Sequence, residues 1–159
     1  MTEVIMDVEI VQFPATNLAV IEHHGSPLLE HETVNKLIKW RQENNLFDNE
    51  KYRCYGIHYT NPAITPLEQH HVDFAISIDK PIAKNAYGIV SKTIPALRCA
   101  KARDIGSRNN NQAIIYLLEQ WLPQSREKIG SYPPIFHYVN VGLTIPASEM
   151  ITDVYLPLA

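Results

Sequence analysis

The sequence predicts an α+β fold built from two tandem strand-helix-strand-strand units. Three observations predict it. The chain matches itself at an offset of 81 positions, stretches of alternating polarity precede two runs at helical spacing, and each run is followed by two more strand-like stretches.

At that offset Pro14 meets Pro95, Ala15 meets Ala96, Ala19 meets Ala100, Gly25 meets Gly106, Ser26 meets Ser107, Leu37 meets Leu118 and Trp40 meets Trp121. No gap is needed, and further on Tyr55 falls on Phe136. Two copies are too few for a solenoid, so a closed pseudo-twofold pair is expected.

Each copy parses in the same order. "VEIVQF" and "GIVSKTI" are β-rich and end at Pro14 and Pro95. "NLAVIEH" and "LRCAKAR" alternate and also read as strands. Each forms either a hairpin with the stretch before it or one strand bent at the proline. Gly25 and Gly106 close these stretches. Val34, Leu37, Ile38 and Trp40 make the first helical stripe. Ile114, Ile115, Leu117, Leu118, Trp121 and Leu122 make the second, which Pro123 is expected to stop. Asn109 to Asn111 stand where a cap for that helix belongs. "RCYGIHYT" and "IFHYVNV" follow as strands, then the Pro-bearing loops "NPAITPLEQ" and "GLTIPASE", then the strands "VDFAISI" and "ITDVYLPL". "DKPIAKNAYG" links the copies, punctuated by Pro81 and Gly88.

The two units are expected to form one domain, residues 1–159, with repeats of about 1–80 and 81–159. Their strands would join into one curved, barrel-like antiparallel sheet carrying two helices and a central cleft. The 159 residues are 45% hydrophobic and 19% charged, with a formal charge of −3. Lys and Arg are scattered, which argues against nucleic-acid binding. The two cysteines, Cys54 and Cys99, suit reduced thiols in a cytoplasmic protein. The N-terminal stretch carries acids among its apolar residues and is not a signal peptide, and no run is long and apolar enough for a transmembrane span.

The eight Tyr, four Phe and two Trp suit a flat, apolar ligand, cationic ones included. Candidate binding residues are Tyr55, Tyr59, Phe136, Tyr138 and Tyr155 on strands, with Trp40 and Trp121 on helices. The same aromatics also suit a core, and the matched tryptophans suit helix packing. Asp73 and Asp153 are acids set in otherwise apolar strands, able either to meet a cation or to face water.

The motifs "AVIEHHG", the Trp of "LIKW", "YGIHYTNPAITPLE", "VDFAISI", "EQWLPQS", "PPIFHYVN" and "TDVYLPL" occur in the order and spacing of a known family. The chain resembles the GyrI-like family, the effector-binding domain of many AraC-type and multidrug-responsive regulators. Within it the chain is similar to free-standing, integron-carried members that bind cationic drugs. The resemblance covers nearly the whole chain. It implies a tandem strand-helix-strand-strand fold and an effector module that binds lipophilic, cationic aromatic compounds in a cleft between the repeats. It implies a partner regulator, or DNA gyrase, rather than direct contact with nucleic acid or membrane. At the position where many members carry a glutamate in the pocket, this chain has His137, either a pocket residue or a hydrogen-bonded core residue. A cation would then need another acid, Asp73 or Asp153; Glu68 lies in a solvated loop.

The alternatives are a small-molecule hydrolase of the same family and a gyrase-inhibitor-like interaction. The hydrolase chemistry is tied to the replaced glutamate, so the expectation is a binder, not an enzyme, with no cofactor and no catalytic residue. Phosphate-loop, nucleophile-elbow and zinc-protease motifs are absent. His23, His24 and His31 lie close in sequence, as do His70 and His71. Adjacent strand residues face opposite ways, so each pair offers one ligand per side, and no metal is expected.

Overall fold

Two compact units make up the chain, each with four strands and one longer helical segment among the described residues. One unit is Ala15–Pro95, and the other is formed by what precedes and follows it. A computed structural model describes residues 5–61, 64–108, 111–141 and 144–159. The α+β expectation holds, and every strand pairing within each unit is antiparallel among the described residues.

The unit Ala15–Pro95 holds β2 (Thr16–His24), helix α1 (Glu30–Glu43), β3 (Cys54–His58), β4 (His71–Ser77) and β5 (Val90–Ile94), ordered β3-β4-β2-β5. The other unit holds β1 (Glu9–Phe13), β6 (Leu97–Ile105), the second helical segment, β7 (Ile135–Tyr138) and β8 (Ile151–Pro157), ordered β1-β6-β8-β7. The first strand of each sequence repeat therefore pairs inside the unit built by the other repeat. β1 lies on β6, with Phe13 opposite Leu97, and β5 lies on β2, with Ile94 opposite Thr16. Neither sequence alternative, a local hairpin or one bent strand, describes this. Pro14 and Pro95 cannot donate a ladder hydrogen bond, so each breaks the ladder where the chain changes partners.

The cross-strand registers refine the repeat. Leu18 opposite Ser77 has its counterpart in Cys99 opposite Pro157, and Gly56 opposite Phe74 in Phe136 opposite Val154. The offset is 81 in β2 and β6 but 80 in the last two strands of each copy. Tyr55 thus corresponds to Ile135 rather than to Phe136, and His137 to Ile57 rather than to Gly56. The two buried aspartates, Asp73 and Asp153, become equivalent.

Each sheet packs one face on its helix. Ala19, Ile21 and Ile76 meet Leu37 and Trp40 of α1, with Phe74 and Tyr52 against them. Ile38, expected in that stripe, is 44% exposed. In the other unit Ala100, Ala102, Phe136, Val154 and Leu156 meet Ala113 and Leu117, with Trp121, Leu122 and Tyr138 against them. That helical segment begins as α2 (Gln112–Tyr116), widens into a π-helical turn (Leu117–Trp121) and ends as α3 (Leu122–Gln124). Pro123 does not stop the helix but sits in its last short piece. The wide turn lies just ahead of it, where a proline costs the backbone an i→i−4 hydrogen bond, and Leu122 N–H instead reaches the Leu117 carbonyl. Asn111 makes no side-chain cap, and Asn109 and Asn110 lie outside the described residues. The Asp104 carboxylate caps the helix from β6, accepting from Ala113 N–H at 3.0 Å.

Gly25 and Gly106 end β2 and β6 with φ of 123° and 131°. Each donates its N–H across the sheet at 2.8 Å, to the carbonyls of His70 and Met150. A side chain at either φ would strain the backbone. No helix among the described residues is long and apolar enough to cross a membrane.

His58 lies on the helix-facing side of β3, with its Nε2 out of contact with water. Burial pushes its pKa down to about 4. The folded chain therefore holds it neutral where the unfolded chain protonates it. Its contribution to stability is present above about pH 6.5 and is lost as pH falls toward about 4. Urea unfolding at stepped pH is expected to show a loss of about 2 kcal/mol across that window. His58→Gln is expected to flatten that limb.

Candidate functional site

Strand alternation sorts the sequence candidates onto two faces. Trp40, Trp121, Phe136 and Tyr138 belong to the helix-side cores. Tyr55, Tyr59 and Asp73 lie on the face of their unit turned from α1, and His137, Asp153 and Tyr155 on the corresponding face of theirs. Tyr55 is buried at 3% exposure, whereas Tyr59 is 40% exposed.

Asp73 and Asp153 do not face water, and each carboxylate is bridged by cations of its own unit. Asp73 is fully buried. Its Oδ2 accepts from Lys92 Nζ at 2.7 Å and from the Tyr59 hydroxyl at 3.0 Å, and its Oδ1 lies 3.0 Å from His71 Nε2. Lys92 also reaches Glu22 Oε2 at 3.0 Å. Burial pulls the Lys92 pKa down, but the hydrogen bonds to Asp73 and Glu22 outweigh it and leave the ammonium above its ordinary value. Glu22 is held low, first by His24 and then by Lys92.

Asp153 is held differently. Arg103 donates through Nε at 2.7 Å and through an Nη at 3.0 Å, a two-point clamp, and Lys101 Nζ is 3.7 Å away. Burial raises the Asp153 carboxyl, but Arg103 and Lys101 bring it below the ordinary aspartate value of 3.8, with His137 opposite adding a little. Two cations thus meet one carboxylate here, while two carboxylates, Glu22 and Asp73, meet one ammonium in the other unit.

The tyrosines on these faces already carry cations. Lys92 Nζ lies 5.7 Å from the Tyr59 ring centre, and Lys101 Nζ 5.8 Å from that of Tyr155. Tyr155 also packs edge-on against Phe13 at 5.0 Å. Tyr59 stacks on His71 at 4.2 Å, and His71 stacks on His24 at 4.1 Å.

That stack contains residues the sequence reading set aside. His24 and His71 are directly opposite in the β2–β4 ladder, as are Glu22 and Asp73. Alternation did split each adjacent histidine pair. His23 turns inward and hydrogen-bonds Thr33 Oγ1 at 2.7 Å, and His70 reaches the Thr65 carbonyl at 2.9 Å. Pairing of β2 with β4 then puts one histidine from each pair side by side. The available signal was Glu22-x-His24 on one strand and His71-x-Asp73 on another, each presenting two polar groups to one face.

Arg103→Gln removes the two-point clamp from the buried Asp153 carboxylate. It is expected to cost about 2 kcal/mol near neutral pH, the low side for a buried pair because Arg103 is half exposed. Asp153 has a depressed folded pKa, so its contribution is present above the unfolded value and lost as pH falls through the folded one. Chemical denaturation of both proteins should show the difference closing below about pH 4.

The relatives agree with this architecture. The chain is 34% identical over 160 residues, all of both proteins, to the probable transcriptional regulator YgiV of Escherichia coli strain K12. Its fold matches the C-terminal domain of EcmrR with a TM-score of 0.77 at 15% identity, covering 98% of this chain and 99% of that one. It also matches SAV2435, solved bound to tetraphenylphosphonium, with a TM-score of 0.56 at 11% identity, covering 97% and 94%. The profile of the GyrI-like small molecule binding domain matches residues 6–159, and the chain belongs to that family.

Proposed function

We propose that this protein is an effector-binding module that takes up lipophilic, cationic aromatic small molecules and releases them unchanged. The observation that carries the reading is the pairing of a half-exposed tyrosine, Tyr59, with a group in which Glu22 and Asp73 outnumber Lys92. An aromatic cation gains from contact with the part of the Tyr59 ring that His71 and Lys92 leave exposed and from the excess negative charge together. Of the two acids expected from sequence, Asp73 suits this role. Asp153, facing both Arg103 and Lys101, would leave an incoming cation in a net positive field. Membership of a small-molecule-binding family supports the reading, and the tetraphenylphosphonium complex of a protein with the same fold suggests the probe.

Binding rather than catalysis is favoured by the state of the candidate acids, both engaged by cations of the chain itself. A bound effector would serve either sequestration of a toxic compound or signalling to a partner regulator inside the cell.

The test is calorimetric titration with tetraphenylphosphonium and anisotropy with a rhodamine cation, beside a neutral and an anionic dye of similar size. Saturable binding of the cations alone is expected, with the ligand intact by mass spectrometry. Tyr59→Ala is expected to weaken it about tenfold, near 1.4 kcal/mol, while Tyr59→Phe keeps the ring and most of the affinity. Tyr155→Ala, beside Lys101, is expected to change cation affinity less than Tyr59→Ala. Failure of every dye to bind would sink the reading and turn the search to protein partners such as gyrase. Conversion of a ligand to products would replace it with the hydrolase reading.

A further inference from the structure

We infer that Glu22, His24 and His71 form a binding site for a divalent late first-row transition metal ion, of the zinc, cobalt or nickel type. Glu22, His24 and His71 each present a donor atom, and these donors lie within 4.8 Å of one another. Glu22 Oε1 is 2.9 Å from His24 Nε2 and 4.0 Å from His71 Nε2. Donors around a tetrahedral zinc stand about 3.3 Å apart, given metal–ligand bonds near 2 Å. The observed spacings bracket that value. Asp73 Oδ1, 3.0 Å from the same His71 nitrogen, stands outside that group as a hydrogen-bond partner of His71, and water would complete the ion's shell.

Three features separate this group from a chance surface cluster. The imidazoles are gathered side by side, with His71 stacked between Tyr59 and His24 at ring distances of 4.2 and 4.1 Å. The donors come from adjacent, in-register strands, Glu22 and His24 from β2 and His71 from β4. Lys92 takes the other oxygen of each carboxylate, Glu22 Oε2 and Asp73 Oδ2, which leaves Oε1 and Oδ1 turned toward the histidines. Lys92 thus acts on the acids as an outer-shell partner, orienting them. Two imidazoles and one carboxylate oxygen suit zinc, cobalt and nickel better than magnesium or calcium, which take all-oxygen shells. Binding asks the stacked rings to turn their Nε2 edges toward a common point.

The probe is cobalt(II) added to the full, tag-free chain, read by visible absorption. Zinc competition against a chromogenic chelator gives the affinity. One saturable ion per chain with a tetrahedral cobalt spectrum is expected. His24→Gln, at a mostly exposed side chain that folding does not need, is expected to weaken binding about tenfold or more, and His71→Gln likewise. His31→Gln, on α1, is expected to leave it unchanged. Absence of a saturable site, or affinity within about twofold in His24→Gln, would overturn the assignment. The titration uses no dye, so it stands or falls independently of the proposed ligand.

Discussion

A carboxylate with no exposure to water, on the central strand β4, has to be neutralised in place, and Lys92 does it. Leaving that charge unpaired would cost several kcal/mol. The pair does more than satisfy Asp73. Lys92 lies on β5, which the sequence assigns to the second repeat, while Asp73 lies on β4 of the first. The ion pair therefore fixes a strand from beyond the linker onto the sheet of the first repeat, reaching past β2, on which β5 lies. The β2–β5 ladder supplies the hydrogen bonds, and the buried pair selects the register in which Lys92 reaches across β2.

The equivalent aspartate in the other unit meets the same constraint with different residues. Asp153 is clamped by Arg103 from β6, at the position that Glu22 holds on β2. A glutamate in one copy and an arginine in the other reverse the local charge balance. The scaffold is repeated while the chemistry on its helix-free faces is not. One face gathers carboxylates and imidazoles around a lysine, and the other gathers cations around a carboxylate. The duplicated architecture is thus compatible with one specialised site.

Much of the fold was legible because period and punctuation are local properties. Among the described residues the eight strands fall where alternation puts them and the two longer helical segments where helical spacing does, with Pro123 inside the second segment rather than at its end. Pairing was not legible. Nothing in "VEIVQF" says that it will lie on β6 rather than beside β2, because ladder partners are chosen by the whole sheet. The aspartates escaped notice as equivalents because a one-residue shift after the helix changes the offset from 81 to 80, and a gapless comparison cannot show it. The tyrosines and acids were found by residue type, but their division between faces needed the registers. The Glu22–His24–His71 group was missed for the same reason. Its members are unremarkable in sequence and meet only through the β2–β4 ladder.

The exchange of first strands bears on how such a chain could have arisen. Consider one copy alone, folded as its own pattern dictates. Its opening strand would find no place in its own sheet, and its own sheet would lack an edge. Two identical chains would resolve both problems by trading opening strands, a symmetric, mutually donated dimer. A duplication would join the two donors through the Asp79–Gly88 linker and would turn a concentration-dependent association into a covalent one. Identical copies can only vary together, whereas fused copies drift apart. The arginine facing Asp153 and the glutamate facing Asp73 are divergence of the kind that fusion permits.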